Sequence, residues 1–291
     1  MTGVESSSLK AVAAAFLACL ALAAPAGAAS GHPGVAALQV ALRAHGLYAG
    51  TIDGVRGPGT AAAVRRFQRH KGLPVDGVLG PQTRRALGRY GRHMFGTRLL
   101  QVGKSGWDVA ALQFVLAAHG FPSGPFDGGF GPRTDAALRH FQHWAHLGAD
   151  GVAGPGTYAA LRRTAPHCPI RLYRPLHGRI GDPFGPRGNR FHPGIDFPAS
   201  YGAPVHAAAS GRVVYAGWDS GGYGYLVTIA HRSGVRTMYA HLSRIRVRRG
   251  RWIRVGSPIG NVGASGEATG PHLHFEVRVR GAAVNPLPAL R

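Results

Sequence analysis

Residues 35–87 of this chain align with residues 109–161 without a gap, with the same residue in roughly half of the columns. The offset of 74 positions is longer than a solenoid unit, which runs to about 50 residues, so the pattern points to tandem copies of one small domain. Each copy reads helix, turn, helix, turn, helix. In the first, Val35, Leu38, Leu42 and Leu47 have helical spacing, and Asp53-Gly54 makes a turn. Gly57-Pro58 then opens a second helix, because proline is tolerated at a first helical position where the N–H has no partner. That helix carries Ala62, Val64, Phe67 and Gln68, and Asp76-Gly77 and Gly80-Pro81 lead to a short third helix ending at Leu87. Asp127-Gly128, Gly131-Pro132, Phe141-Gln142, Asp150-Gly151 and Gly154-Pro155 repeat the scheme.

Composition removes several classes of protein. Among 291 residues, 45 glycines and 21 prolines fall in no G-X-Y period, so the chain is not collagen-like, and 45% hydrophobic against 16% charged residues is not a disordered chain. Two cysteines cannot staple a protein of this length. A net charge of +22, from 34 Lys plus Arg against 12 Asp plus Glu, favours a polyanionic partner. The excess is about +10 over residues 30–165 and about +12 over 166–291. Arginines so spread, with no recognised binding motif, point away from a nucleic-acid footprint and leave an anionic lipid or an acidic cell wall as the partner.

The first residues carry an export pattern: Lys10, an apolar run from Ala11 to Ala24, then small residues at Ala24, Ala26 and Ala28. We read residues 1–29 as a signal peptide and the protein as secreted, extracellular and associated with the cell wall. Retention of an uncleaved segment is the one way it would meet a membrane. Cys19 lies inside the run, without a good lipoprotein box before it. Cys168, left alone in the mature chain, reads as a buried, inert thiol. The mature protein is expected to be a monomer.

From about Ile170 the helical period gives way to short runs rich in Val, Ile, Tyr and Trp bounded by glycine, such as GRVVYAGW, YGYLVTIAH, VRTMYAHL and HLHFEVRV. These predict an antiparallel β domain. The expected fold class is therefore multidomain α + β, two small three-helix modules followed by an antiparallel β-rich domain. The boundaries read as 30–91 and 97–164 for the modules, 165–171 for a linker and 172–291 for the β domain. Residues 91–96 read as a second linker, and 97–108 as the start of the second module.

Within the β domain His192 and Asp196 stand in RFHPGIDF, His241 in YAHL, and His272 and His274 in GPHLHFE. Side chains alternate faces along a strand, so His272 and His274 share one face. A catalytic zinc needs three protein ligands and an open position, and this set holds enough imidazole and carboxylate donors for both. An H-x-H pair alone is weak evidence, since most are simply strand histidines. His231 reads as a strand-end histidine with a structural hydrogen bond. His206 is given no role. Glu276 shares the face of His274 and could orient it, although pairing with one of the many arginines is the simpler expectation. Arg187 and Asn189 are candidate substrate contacts.

The double D-G…G-P-x-T pattern, with L-Q in the first helix and F-Q in the second, resembles the small three-helix peptidoglycan-binding modules of cell-wall hydrolases and covers almost all of residues 33–164. Neither repeat holds a cluster of histidines and carboxylates fit for catalysis, which leaves binding, or spacing, as its role. Residues 172–290, with RFHPGIDF, MYAHLS and GPHLHFEVRV in order, resemble the lysostaphin/LytM-type zinc metalloendopeptidases, which cut peptide cross-links in peptidoglycan. The resemblance implies one zinc ion held by His192, Asp196 and His274. It gives His272 and His241 the catalytic work on the water and the transition state. The expected partner is peptidoglycan, together with anionic wall polymers. Two alternatives remain beside a secreted zinc endopeptidase. One is a non-catalytic wall-binding activator of another hydrolase, disfavoured because all five family positions are filled. The other is a zinc D,D-carboxypeptidase of a different pattern, with more residues between its histidine and aspartate ligands and a glutamate near its last histidines.

Overall fold

A computed structural model describes residues 31–163 and 165–291. The expected signal peptide and Cys19 lie outside the described residues. Six α-helices come first: α1 (Pro33–Ala44), α2 (Pro58–His70), α3 (Pro81–Ala86), α4 (Trp107–Ala118), α5 (Pro132–Trp144) and α6 (Pro155–Leu161). The strands that follow are β1 (Gly185–Arg187), β2 (Arg190–His192), β3 (Ile195–Pro198), β4 (Pro204–His206), β5 (Gly211–Asp219), β6 (Gly224–Ala230), β7 (Val235–Ile245), β8 (Trp252–Ile253), β9 (Pro258–Val262), β10 (His272–Val279) and β11 (Ala282–Val284). An α + β protein with helical modules ahead of an antiparallel β-rich domain is the fold observed.

The repeated L-Q and F-Q motifs have a structural cause. Gln39, in α1, is fully buried, and its Nε2 lies 2.7 Å from Asp53 Oδ1, 3.2 Å from the Val55 carbonyl and 3.2 Å from Thr60 Oγ1. Its Oε1 accepts from the N–H of Gly54 at 2.9 Å. Gln68 makes the same set of bonds with Asp76, Val78, Thr83 and Gly77. Gln113 makes it with Asp127, Gly129, Thr134 and Gly128, and Gln142 with Asp150, Val152, Thr157 and Gly151. The turn needs glycine, since Gly54, Gly77, Gly128 and Gly151 all sit at φ of 70–75°. Each D-G…G-P-x-T motif is thus the other half of a node closed by a buried glutamine.

The two copies are not separate beads. Val35–Leu42 of α1 are all buried, as are Trp107–Ala117 of α4, so neither helix has a solvent face. The helices cover each other: Ala36, Ala37, Val40 and Ala41 join Trp107, Ala110, Ala111 and Phe114 in one cluster. Small residues on both sides allow that close approach. The segment 91–96 does not free the copies, because Tyr90 is buried and donates to the Asp127 carbonyl at 3.0 Å, and Phe95 packs against Tyr158. Residues 97–108 belong with the second copy, through the Leu100–Ala153 bridge and the Arg98–Asp108 ion pair at 2.6 Å.

Nine strands form one antiparallel sheet in the order β11-β10-β7-β6-β5-β8, with β3 on β10 and β9 joining β4 to β7. Tyr239, Phe197, Phe275, Val227, Ile229 and Leu273 fill its core. The expected linker 165–171 ends inside this fold. Ile170 is buried in the core, and Leu172 takes and gives bonds to Ala289 and Arg291 at 2.9 Å, because apolar residues there cover the sheet beside the chain's last residues. Cys168 is half-buried and donates to the Ile170 carbonyl, and burial pushes its thiol pKa up.

The β1–β2 hairpin lies across the paired helical modules. Ile52 N–H donates to Gly188 O at 2.8 Å and Phe126 N–H to Asn189 O at 2.7 Å, while Phe191 is buried in the cluster shared by α1 and α4. At a second contact Ala283 N–H donates to Gly120 O at 3.0 Å, and a Cβ on Gly120 would come within 2.2 Å of the Ala283 carbonyl oxygen.

Candidate metal centre

Along β10, Leu273, Phe275 and Val277 enter the core, so His272, His274 and Glu276 point to the opposite face. In β3, Ile195 and Phe197 are likewise in the core, and Asp196 stands directly opposite His274 in the β3–β10 register. His192 ends β2 and is carried to the same place by Pro193-Gly194. Gly194 is required there, because a Cβ would meet the Phe275 carbonyl oxygen at 2.5 Å and the His274 ring at 2.9 Å.

The three side chains converge. His192 Nε2 lies 3.2 Å and His274 Nδ1 2.8 Å from Asp196 Oδ1, and the two nitrogens are 3.0 Å apart. Their outer nitrogens are committed elsewhere: His192 Nδ1 lies 2.9 Å from the Pro183 carbonyl, and His274 Nε2 lies 3.1 Å from Glu276 Oε1. Each outer N–H donates outward, which directs a lone pair of each ring and one of the carboxylate to a common point. Two nitrogens and one oxygen in that arrangement fit a divalent cation of the zinc type. Burial opposes charge on His274, but its bonds to Asp196 and Glu276 outweigh this and push its pKa up to about 9. Burial opposes ionisation of Asp196 too, and the two histidines overcome it, holding the carboxyl well below its usual range.

His272 and His241 flank this set. His272 Nδ1 donates to the Gly270 carbonyl at 2.8 Å, and its Nε2 lies 3.8 Å from Asp196 Oδ1. His241 Nδ1 donates to the Ser265 carbonyl at 2.8 Å, and its ring is 4.8 Å from that of His272 and 5.8 Å from that of His274. Burial lowers the pKa of His241, and its histidine neighbours add to the effect. In each ring Nδ1 is thus committed to a backbone carbonyl, which leaves Nε2 to face the cleft. His241 departs from regular strand geometry, with φ of 59° beside a register shift in the β6–β7 pairing, which turns its ring into the cleft. All five expected residues line one cleft of about 740 Å³.

Behind His274 lies a group the sequence did not expose. Glu276, fully buried, accepts from Tyr223 OH at 2.6 Å and from Arg278 Nε at 2.8 Å as well as from His274. Both sequence readings of Glu276 hold at once. Arg278 was legible as its neighbour two positions along the strand, whereas Tyr223 comes from the β5–β6 turn and had no signal. Arg187 reaches the cleft, 2.9 Å from Asp182 and 3.6 Å from Asp196. Asn189 does not line it; its carbonyl faces the second module. His231 lies outside the cleft, held between the Ser210 carbonyl and Thr237 Oγ1.

Residues 190–286 match peptidase family M23, and residues 31–87 and 105–161 match a peptidoglycan binding domain. The chain carries an M23 peptidase domain. The DD-carboxypeptidase/endopeptidase Mpg of Neisseria meningitidis is 46% identical over 118 residues, which are 38% of this chain and 27% of the relative. The murein hydrolase activator NlpD of Escherichia coli is 39% identical over 122 residues, 41% of this chain and 31% of the relative. The chain thus spans about a third or less of the length of these two relatives. Among solved structures, the catalytic domain of the antimicrobial peptidase lysostaphin from Staphylococcus simulans is 36% identical, over 38% of this chain and 90% of that one, with a TM-score of 0.36. A zinc containing peptidase from Vibrio cholerae is 34% identical over 40% of this chain and 39% of that one, with a TM-score of 0.37. The M23 match contains all five clustered residues, and the binding-domain match contains all four glutamine nodes.

Proposed function

We propose that this protein is a secreted, zinc-dependent endopeptidase that hydrolyses peptide cross-links of bacterial peptidoglycan, with two helical modules that hold it to the wall. The observation that carries the reading is the convergence of His192 Nε2, Asp196 Oδ1 and His274 Nδ1, with the rings of His272 and His241 beside them, each held by its Nδ1 on a backbone carbonyl. His192, Asp196 and His274 would hold one zinc ion. When bound, zinc supplies Lewis acidity, which makes water acidic enough to attack at neutral pH and polarises the scissile carbonyl.

The chain's own residues supply the proton handling. His272 Nε2 accepts the proton of the attacking water and returns it to the leaving amine, because its Nδ1 is already committed to Gly270. His241 Nε2 is also an acceptor in the neutral ring, so it orients the water; a proton taken up there would turn it into a donor to the developing oxyanion. Tyr223 is not free for that task, since its hydroxyl is spent on Glu276.

The likeness to the Neisseria DD-carboxypeptidase/endopeptidase supports the endopeptidase reading. The likeness to NlpD, named as an activator, raises a non-catalytic role, against which stands the complete set of ligands and flanking histidines. The deciding experiment is digestion of purified peptidoglycan of known cross-link, with new termini identified by mass spectrometry. Chelation should abolish release and added zinc restore it, and His272→Ala should slow it by about 10²–10⁴-fold. Cleavage that survives both treatments would refute the mechanism.

A further inference from the structure

A second cavity, of about 580 Å³, lies where the second module meets the M23 domain. One wall is a face of α5, with Arg133, His140 and His143; the opposite wall is the end of β10, with Arg278, and the turn after it, with Arg280. No carboxylate among the described residues lines it. Arg278 is neutralised by Glu276, but the side chains of Arg133, His140 and His143 have no hydrogen bond or ion pair among the described residues, and all three residues are exposed. Ser123 also lines the cavity; it is only 4% exposed, and its Oγ has no hydrogen-bond partner among the described residues. Pro193 and Tyr223 line both this cavity and the metal cleft, so the two adjoin. The Gly120–Ala283 bond fixes the walls against each other.

We propose that this groove is a carboxylate-binding subsite, which takes the acidic part of a wall peptide strand whose cleavable bond lies at the metal cleft. The strand would cross from one domain to the other over Pro193 and Tyr223. Arg133 supplies the positive charge, and the unpaired Ser123 hydroxyl a neutral polar contact. The second module then takes part in holding the substrate at the reaction site, beyond anchoring the protein to the wall. The proposal rests on the peptidoglycan reading above.

The test compares two forms of one soluble cross-linked stem-peptide dimer, one with free carboxylates and one with those groups amidated. Affinity is measured on the full chain carrying His272→Ala, so that binding is read without turnover, and steady-state kinetics are measured with His272 intact. Arg133→Glu is the informative variant. It places an acid in the first turn of α5, where the helix dipole favours one, so the fold is not at risk. The free-acid dimer should bind about five- to tenfold more weakly to Arg133→Glu, with KM raised and kcat and zinc content unchanged, and the amidated dimer should not respond. Equal binding of the two dimers to the parent chain, or an equal loss of both on Arg133→Glu, would overturn the subsite. A preference for the free acid in a chain that cleaves neither dimer would support the subsite and count against the endopeptidase reading.

Discussion

Ile52 and Phe126 stand 74 positions apart, in the same column of the two repeats, and their N–H groups close on neighbouring carbonyls, those of Gly188 and Asn189. The doubled module thus offers a near-symmetric pair of donors to the tip of a single hairpin. That hairpin ends at His192. The His192–Asp196–His274 cluster and the helical modules meet through a few residues of backbone.

Phe191, next to His192, anchors the contact: it is 7% exposed in the cluster shared by α1 and α4 and meets Phe184 edge-on at 5.0 Å. Phe191→Ala should cost about 3–5 kcal/mol in urea unfolding. It should also weaken zinc binding in chelator competition under conditions where the variant stays folded. A lowered unfolding midpoint with unchanged zinc affinity would mean that the M23 domain positions His192 without the modules.

The pH dependence follows from His274. Its pKa in the folded protein, about 9, exceeds the ordinary 6.5, so the protonated ring stabilises the metal-free fold fully below pH 6.5 and ceases to do so as pH rises through 9. Thermal unfolding of zinc-stripped protein should show stability falling across that window. Zinc displaces the proton, so its affinity should climb over the same range, with proton release detectable by calorimetry in buffers of different ionisation enthalpy. A flat zinc affinity from pH 6.5 to 9 would contradict the assignment.

Glu276 carries a buried charge balanced by Arg278 and His274. Arg278→Ala removes one partner and should destabilise the fold by about 3–5 kcal/mol in chemical denaturation. Glu276→Gln should cut zinc affinity by about 10–100-fold by weakening the hold on the His274 ring. Combining the two should recover much of the stability lost in Arg278→Ala alone, because no unpaired charge is left. Additive losses in the double variant would show that the pair does not couple.

The glutamine nodes are structural. Gln142→Leu should lower the thermal midpoint, by about 2–4 kcal/mol of stability, because Asp150, Gly151 and Thr157 lose their shared partner. Pelleting with peptidoglycan, measured below the new midpoint, should be unchanged. A loss of pelleting in the folded variant would place the node at the wall contact.

Much of this site could be read along the chain, because strand alternation is local: once β10 is a strand, His272, His274 and Glu276 must share a face, and Leu273 and Phe275 must enter the core. His241 was legible as a residue but not as a geometry, since its left-handed backbone depends on how β6 and β7 pair. Tyr223 was invisible, lying in a glycine-rich turn 53 residues from the carboxylate it serves. Asn189 looked like a substrate contact only because its position on the hairpin says nothing of what packs on the tip. The repeat predicted the helices from their spacing, and α1 and α4 proved buried all round, because each copy helps to cover the other.

By itself the sequence determined the doubled helical module and the β domain after it, since these follow from period and turn residues, and through a family resemblance it put five side chains forward as candidates. The tertiary structure decided the tautomers that aim their lone pairs inward, the buried Tyr223–Glu276–Arg278 group behind His274, and the seat of the β1–β2 hairpin on both modules. Those relations join residues far apart in the chain through packing and hydrogen bonds, and no local pattern of residues encodes which distant partner closes each one.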